Sequence, residues 1–312
     1  MSRQRSSGDL LADRRYAYAE ACLAEGDAEG AAEMAEQALE IAPLYAPAWF
    51  LLGRAREARF FASSEERDEQ AARAAYAKAL DIDPGDTLGA RLHLAGLGSG
   101  DALAAITPAY VRALFDGYAP RFEKHLVGDL HYRGPELIMA ALDALPDTPA
   151  RFETVLDLGC GTGLMGRALA GRVGQLAGVD LSPAMLALAR RTGLYARLAE
   201  GELTSFLSEE APASADLVIA ADVLIYLPSL VPVFTAIERV IRAGALAVVS
   251  IQSHDGEGVV LGADGRFAHG NAHLRAAAER SRLDLVAMPE AGIRRQRGEE
   301  VPGRIAILRK PR

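Results

Sequence analysis

The residues with the clearest chemical potential lie in the second half of the chain. The run VLDLGCGTG (155–163) sets Asp157 ahead of three glycines at alternate positions, Gly159, Gly161 and Gly163. Glycine lets a chain leave a strand in a sharp turn and lets its backbone approach a ligand closely. About 20 residues on, the apolar run AGVD ends in Asp180. A carboxylate at a strand's C-terminal end can accept hydrogen bonds from both hydroxyls of a ribose. Glu202 follows in AEGELTSFL and Asp222 in AADVLIY. Tyr118, His125, Tyr226, His254 and His269 are candidates for proton-transfer or substrate contacts, because histidine exchanges protons near neutral pH and a tyrosine hydroxyl can donate or accept. For Tyr118 and Tyr226 helix packing or core is an equally ordinary role, and for His125 packing or surface is the more ordinary one. His254 sits in a glycine- and charge-rich loop where a solvated ring is the usual outcome.

Two nucleotide readings of the loop compete. Residues 161–166, GTGLMG, also fit the dinucleotide pattern GxGxxG, with Asp180 on an NAD ribose and an oxidoreductase as the implied activity. That reading leaves Asp157 and Glu202 without a purpose.

The elements that must hold these residues change character along the chain. Residues 1–9 are polar and read as a disordered tail. Residues 10–100 are Ala-rich with apolar residues at helical spacing, and they repeat: ALEIAP (38–43) is echoed by ALDIDP (79–84). Pro43 and Pro84 stand 41 residues apart, and the extra residues are placed in the charged stretch 63–70, between two helices. Residues 87–97 read as a capping helix. Residues 101–150 form a helical cap or lid, with Tyr110, Leu114, Phe115, Tyr118, Phe122 and Leu126 at helical spacing and a further helix over 136–145. From 151 to 312 short β-type runs alternate with helices, the texture of a parallel α/β sheet. Strands are expected at 154–158, 176–179, 196–198, 217–220, 245–250, 283–288 and 304–308, the last two joined only by a loop. Ser182 before Pro183 marks a capped helix start.

Composition narrows the function. With 312 residues and half of them hydrophobic, two domains with real cores are expected. Residues 1–150 hold 15 basic and 24 acidic side chains, and the remainder 19 and 18. No positive surface follows from such a balance, so nucleic acid is not expected as a partner. The longest apolar stretch, 217–227, contains Asp222 and is too short for a bilayer. With no signal-like start the chain is expected to be cytoplasmic and not membrane-bound. Cys22 and Cys160 form no disulfide framework, and no carboxylate or histidine set has metal-ligand spacing.

The stretch from Asp157 to Asp222 resembles class I S-adenosylmethionine-dependent methyltransferases, with four stations in the same order. The resemblance implies a Rossmann-like seven-stranded methyltransferase sheet in an α/β fold, with S-adenosylmethionine as cofactor. By it, Asp157, Gly159, Cys160, Gly161 and Gly163 border the methionine end. Asp180 and Leu181 take the ribose side, Glu202 and Leu203 the adenine side, and Asp222 stands where cofactor meets acceptor. Cys160 is there as a small residue that fits. The N-terminal half resembles tetratricopeptide (TPR) repeats, giving an all-α TPR-like domain. YVRALFDGYAPRFEKHLVGDLHYRGPEL (110–137), FAHG (267–270) and RRQRGEEVPGR (294–304) are similar to bacterial methyltransferases that carry such repeats. The implied activity is in-line methyl transfer to a small-molecule O- or N-acceptor, with Tyr118, Asp222 and His269 as catalytic candidates. The alternative is a protein methyltransferase, or an adaptor, whose repeats recruit a protein partner. Arg294, Arg295 and Arg297 form either a solvated face or a seat for an acidic substrate.

Overall fold

The computed structural model describes residues 6–296 and 298–312, and the backbone alone at residue 127. Most of the polar start, residues 1–5, lies outside the described residues, as does Arg297. The chain divides into two compact units, Met1–Ala113 and Leu114–Arg312.

The first unit is all helical: α1 (Leu10–Glu25), α2 (Ala28–Ile41), α3 (Ala46–Ser63), α4 (Glu66–Ile82) and the short α5 (Ala90–Gly96). Residues 6–9 are ordered by α1. The Asp9 carboxylate accepts from the Leu11 and Ala12 amides, and the Ser7 amide donates to Asp13 at 2.8 Å. Gly26 in the left-handed region closes α1, and Asp27 caps α2. Both α2 and α4 end two residues before their prolines, Pro43 and Pro84, since proline cannot continue a helix.

Small residues bring these helices together. Ala31, Ala32, Ala35 and Ala38 of α2 pack with Tyr16 and Ala19 of α1 and with Ala48, Leu51 and Leu52 of α3. On α3, Gly53 lies against the Tyr76 ring of α4, where a β-carbon would meet ring carbons at 2.6 Å. The charged stretch 63–70 is not a loop. Helix α4 begins at Glu66, its acidic first turn suits the helix dipole, and buried Asp68 pairs with Arg56 and Arg59 of α3.

The second unit takes in the end of α6 (Pro108–Tyr118) and α7 (Gly134–Asp143), then a sheet with helices on both faces. The helix expected to run on to Leu126 breaks at Pro120 into a 3-10 turn, Ala119–Arg121, and a π-helical turn, Lys124–Asp129. The strands are β1 (Phe152–Leu158), β2 (Val173–Asp180), β3 (Arg197–Glu200), β4 (Ala215–Ala220), β5 (Ile241–His254), β6 (Val259–Leu261), β7 (Phe267–Gly270), β8 (Asp284–Ala287), β9 (Glu290–Gln296) and β10 (Glu299–Arg309). Between them run α8 (Leu164–Ala168), α9 (Pro183–Arg191), α10 (Leu203–Glu209), α11 (Val231–Val240) and α12 (Asn271–Arg280). The main sheet runs β3-β2-β1-β4-β5-β10-β8, with β10 antiparallel to both of its neighbours in that order.

Those seven strands are the expected ones; β6, β7 and β9 are not. The β6 and β7 strands are only three and four residues long, and β9 pairs with β10 alone. The last two expected strands are therefore joined through β9, not by a simple loop.

Side-chain alternation builds two cores. Val155, Leu217, Ile219, Val248, Ile305 and Ile307 share one with Ile138, Leu142 and Leu169. Leu156, Leu158, Val218, Val249, Ala306 and Leu308 share the other with Phe206, Phe234, Ile237 and Leu274. Strand order reverses between β1 and β4, so a crevice opens beyond their C-terminal ends, where open α/β sheets bind ligands.

The tight approach at Gly53 makes a direct prediction. Gly53→Ala should destabilise the helical unit by about 1–3 kcal/mol despite alanine's better helix propensity, because the Tyr76 ring must move. Urea unfolding followed by circular dichroism measures this, and an unchanged or higher midpoint would contradict the packing described.

Candidate functional site

Strand β1 delivers Asp157 to the crevice with its side chain 1 % exposed. The Tyr195 hydroxyl donates to Asp157 Oδ2 at 2.6 Å, while Asp157 Oδ1 has no partner. Burial pushes the carboxyl up to about 7; the tyrosine bond opposes that rise and the Asp180 charge adds to it.

The glycines then divide the work. Gly159, Gly161 and Gly163 all have positive φ. A β-carbon at Gly159 would collide with Val223 at 2.5 Å, and one at Gly163 would press on Tyr195 at 3.2 Å. At Gly161 nothing lies within 4 Å, so the open side of the loop is there. The Gly161 amide donates to Asp180 Oδ2 and the Ser182 amide to Asp180 Oδ1, both at 2.9 Å. Asp180 is thus set by the same loop that borders Asp157. Burial raises its carboxyl above the usual range, and its backbone donors counter the rise. Cys160 is buried and its thiol is pushed far up by burial, which leaves no thiolate to react. Leu181 and Leu203 are half-buried and Glu202 is exposed at the start of α10.

The segment ahead of β1 is tied to this edge twice. Asp116 accepts from Ser182 Oγ at 2.6 Å and from the Ala184 amide at 3.3 Å, and Glu123 pairs with Arg167 at 3.0 Å. It also supplies an aromatic group. Phe115 packs edge-on against Tyr226 and Phe122, and Tyr118 against Phe122. The Tyr118 hydroxyl contacts His125 Nδ1, so these two candidates stand together.

At the end of β4, Asp222 has φ +55, a strained conformation for a residue other than glycine. Its amide donates to Ser250 Oγ at 2.7 Å. Its carboxylate accepts from Arg294 Nη1 at 2.6 Å. Arg294 Nη2 donates to Gln252 Oε1 at 2.7 Å and lies 3.6 Å from Asp264. Arg294 is 2 % exposed, so the reading of a solvated face is overturned at this residue. It reaches the interior because β9 carries it there, and its neighbour Arg295 remains exposed.

The histidines separate. His254 knits the β5–β6 turn, accepting from the Gly256 amide at 3.1 Å. His269 is 1 % exposed, stacks on His273 and makes no well-aligned hydrogen bond through either ring nitrogen. Burial and His273 lower it to about 4, against the pull of the Leu224 and Leu227 backbone carbonyls.

Sequence reasoning passed over Tyr195, Tyr132, Asp116 and Gln252. Tyr132 has its phenol pushed up by burial, with the Asp222 and Asp157 charges adding to the shift. Asp116 and Tyr132 lie within the stretch 110–137 but were not singled out there, and Tyr195 and Gln252 sit in no recognisable motif. Among the described residues no cluster suits a metal ion, and no helix is long and apolar enough to cross a membrane.

The methyltransferase domain family matches residues 155–244, the stretch from the glycine loop through β4 to the start of β5. That stretch, and not the chain as a whole, is matched as a methyltransferase domain. It is 41 % identical over 85 residues to human Methyltransferase-like protein 27, across 27 % of this chain and 34 % of that protein. It is 33 % identical over 101 residues to the ubiquinone biosynthesis O-methyltransferase of Pseudomonas paraeruginosa, across 31 % of this chain and 44 % of that one. The chain thus spans less than half the length of these curated relatives. Magnesium protoporphyrin IX methyltransferase from Synechocystis PCC 6803, solved with bound S-adenosylmethionine, shares the fold at TM-score 0.50 and 18 % identity, over 65 % of this chain and 96 % of that one. The methyltransferase domain's cofactor fits the site: the unpartnered Asp157 Oδ1 suits an ammonium group, and Gly161 leaves the loop open on its own side.

Two predictions follow from the buried charges. Arg294→Met leaves Asp222 half-buried without its partner and should destabilise the fold by about 3–5 kcal/mol. Adding Asp222→Asn should recover part of that loss in urea unfolding, and no recovery would refute the pairing. His269 has the opposite relation to acid from a salt-bridged histidine. The unfolded ring takes a proton with a pKa of 6.5 and the folded ring only near 4, so protonation favours unfolding. Its contribution to stability should be whole above 6.5 and fall away towards about 4, and His269→Gln should remove that slope from the unfolding free energy against pH.

Proposed function

We propose that the chain transfers the methyl group of S-adenosylmethionine to a small-molecule O- or N-acceptor bound beyond the C-terminal ends of β4 and β5. The observation that carries this is the pairing of a half-satisfied buried carboxylate, Asp157, with an aromatic wall of Phe115, Tyr118, Phe122 and Tyr226. The cofactor supplies an activated methyl on a positively charged sulfur. Protein residues then have to align donor and acceptor and exclude water. Asp157 holds the amino end of the cofactor, Asp180 its ribose, and Glu202 the adenine side. The aromatic wall seats a flat, apolar acceptor and displaces water from it.

Asp222, neutralised by Arg294, orients groups at the junction and is not a free base. His269 stays neutral near pH 7 and keeps a lone pair for a proton, which is needed only if the acceptor must lose one. The name of the Pseudomonas relative, an O-methyltransferase of ubiquinone biosynthesis, supports an O-acceptor of small size.

We read helices α1–α4 as two TPR-like helix pairs, favoured by the matching proline-terminated ends of α2 and α4. The proposed organisation is repeats over 10–100, a cap over 101–150 and the methyltransferase domain over 151–312. Two pairs fall short of the three or more repeats that usually stand alone. Recruitment of a protein substrate through them is the second reading, and a pull-down with residues 1–100 tests it.

Calorimetry should find binding of S-adenosylmethionine and S-adenosylhomocysteine but not of NAD. Asp180→Ala should lose on the order of 2–3 kcal/mol of cofactor affinity, because it removes the ribose partner and frees the Gly161 and Ser182 amides. Tyr118→Ala should lower turnover far more than cofactor affinity. Tight NAD binding with no S-adenosylhomocysteine binding would refute the function; unchanged turnover in Tyr118→Ala would move the acceptor elsewhere.

A further inference from the structure

Three glycines of the methyltransferase domain share one neighbour. A β-carbon at Gly163, Gly166 or Gly178 would stand 3.2, 2.9 or 2.8 Å from ring atoms of Tyr195. Gly163 and Gly166 belong to the loop and to α8, Gly178 to β2, and Tyr195 to the turn after α9. The ring is therefore slotted through a channel walled by glycine, and its hydroxyl emerges at Asp157 Oδ2, 2.6 Å away. Gly166, the last glycine of GTGLMG, makes room for this ring. The same bond leaves Asp157 Oδ1 as the one oxygen without a partner.

We propose that Tyr195 is a positioning residue for the cofactor: its hydroxyl fixes the rotamer of Asp157 and directs the free carboxylate oxygen towards the amino group of S-adenosylmethionine. The inference rests on the cofactor reading above and adds to it a residue outside every motif in the chain. A short O–H···O⁻ bond is of the strong, charge-assisted kind, so it also favours the ionised carboxylate that an ammonium group needs. Burial and the Asp180 charge work against ionisation. Tyr195 is the group that offsets them.

Tyr195→Phe keeps the ring in its channel and removes only the hydroxyl. In the ligand-free chain, the Asp157 carboxyl should titrate near 7 by carbon-detected NMR, and in the variant its midpoint should rise by about one pH unit. Affinity for S-adenosylhomocysteine should climb with pH through the same midpoint. At neutral pH the variant should bind about fivefold more weakly, with the climb displaced to higher pH. In an Asp157→Asn background the same substitution should cost no further affinity. An unchanged Asp157 midpoint would overturn the proposal, as would an equal loss of affinity in the Asp157→Asn background. Failure of the unmodified chain to bind S-adenosylhomocysteine would instead overturn the cofactor reading, since the ligand-free titration reports the tyrosine bond without it.

Discussion

A carboxylate buried at the end of the central strand with one oxygen satisfied and the other bare is the constraint around which the second unit is organised. Desolvation of a charge is costly, and the folded chain relieves it only partly, through the Tyr195 hydroxyl and a raised pKa. On the proposed reading, the ammonium group of the cofactor would complete the relief. The glycines at 159, 161 and 163, the inward tyrosine and the loop amides on Asp180 all act to hold that carboxylate and the space beside it. The site thus stores a demand for positive charge next to a loop that backbone alone can line.

The acceptor side solves a different electrostatic problem. Asp222 leaves β4 in a strained left-handed conformation, which persists because Ser250 holds its amide and Arg294 its carboxylate. Arg294 in turn joins β4, β5 and the segment before β7 through Asp222, Gln252 and Asp264. A buried ion pair of this kind is weak evidence of stability, since apolar replacement of both partners together often does as well, although removal of one alone is costly. Its effect here is to fix three chain ends relative to one another at the edge where an acceptor must be aligned.

The N-terminal unit obeys simpler rules. Alanine and glycine at helix contacts allow close approach, and caps and prolines set the helix ends. Its polar exceptions are local: Asp68 with two arginines, and Glu57 accepting from Tyr76 and pairing with His93.

Much of this protein is legible in its residues taken in order. Short β-type runs between helical stretches marked all seven strands of the main sheet, and the central ones are apolar along their length because both faces are buried. The glycine loop, Asp157 and Asp180 were legible because the chain must turn there and only glycine does so cheaply. The short β6 and β7 and the polar β9 left no such mark, since their pairing depends on β5 and β10, and not on their own pattern. The two arginines 294 and 295 read alike in sequence, yet alternation on a strand buries one and exposes the other. Tyr195 lies in an unremarkable turn, and only folding brings its hydroxyl across 38 positions of chain to Asp157. Local chemistry and periodicity determined the elements and the loop; which lone side chains complete the site was decided by tertiary contacts, because burial and hydrogen bonding between distant residues have no local signature.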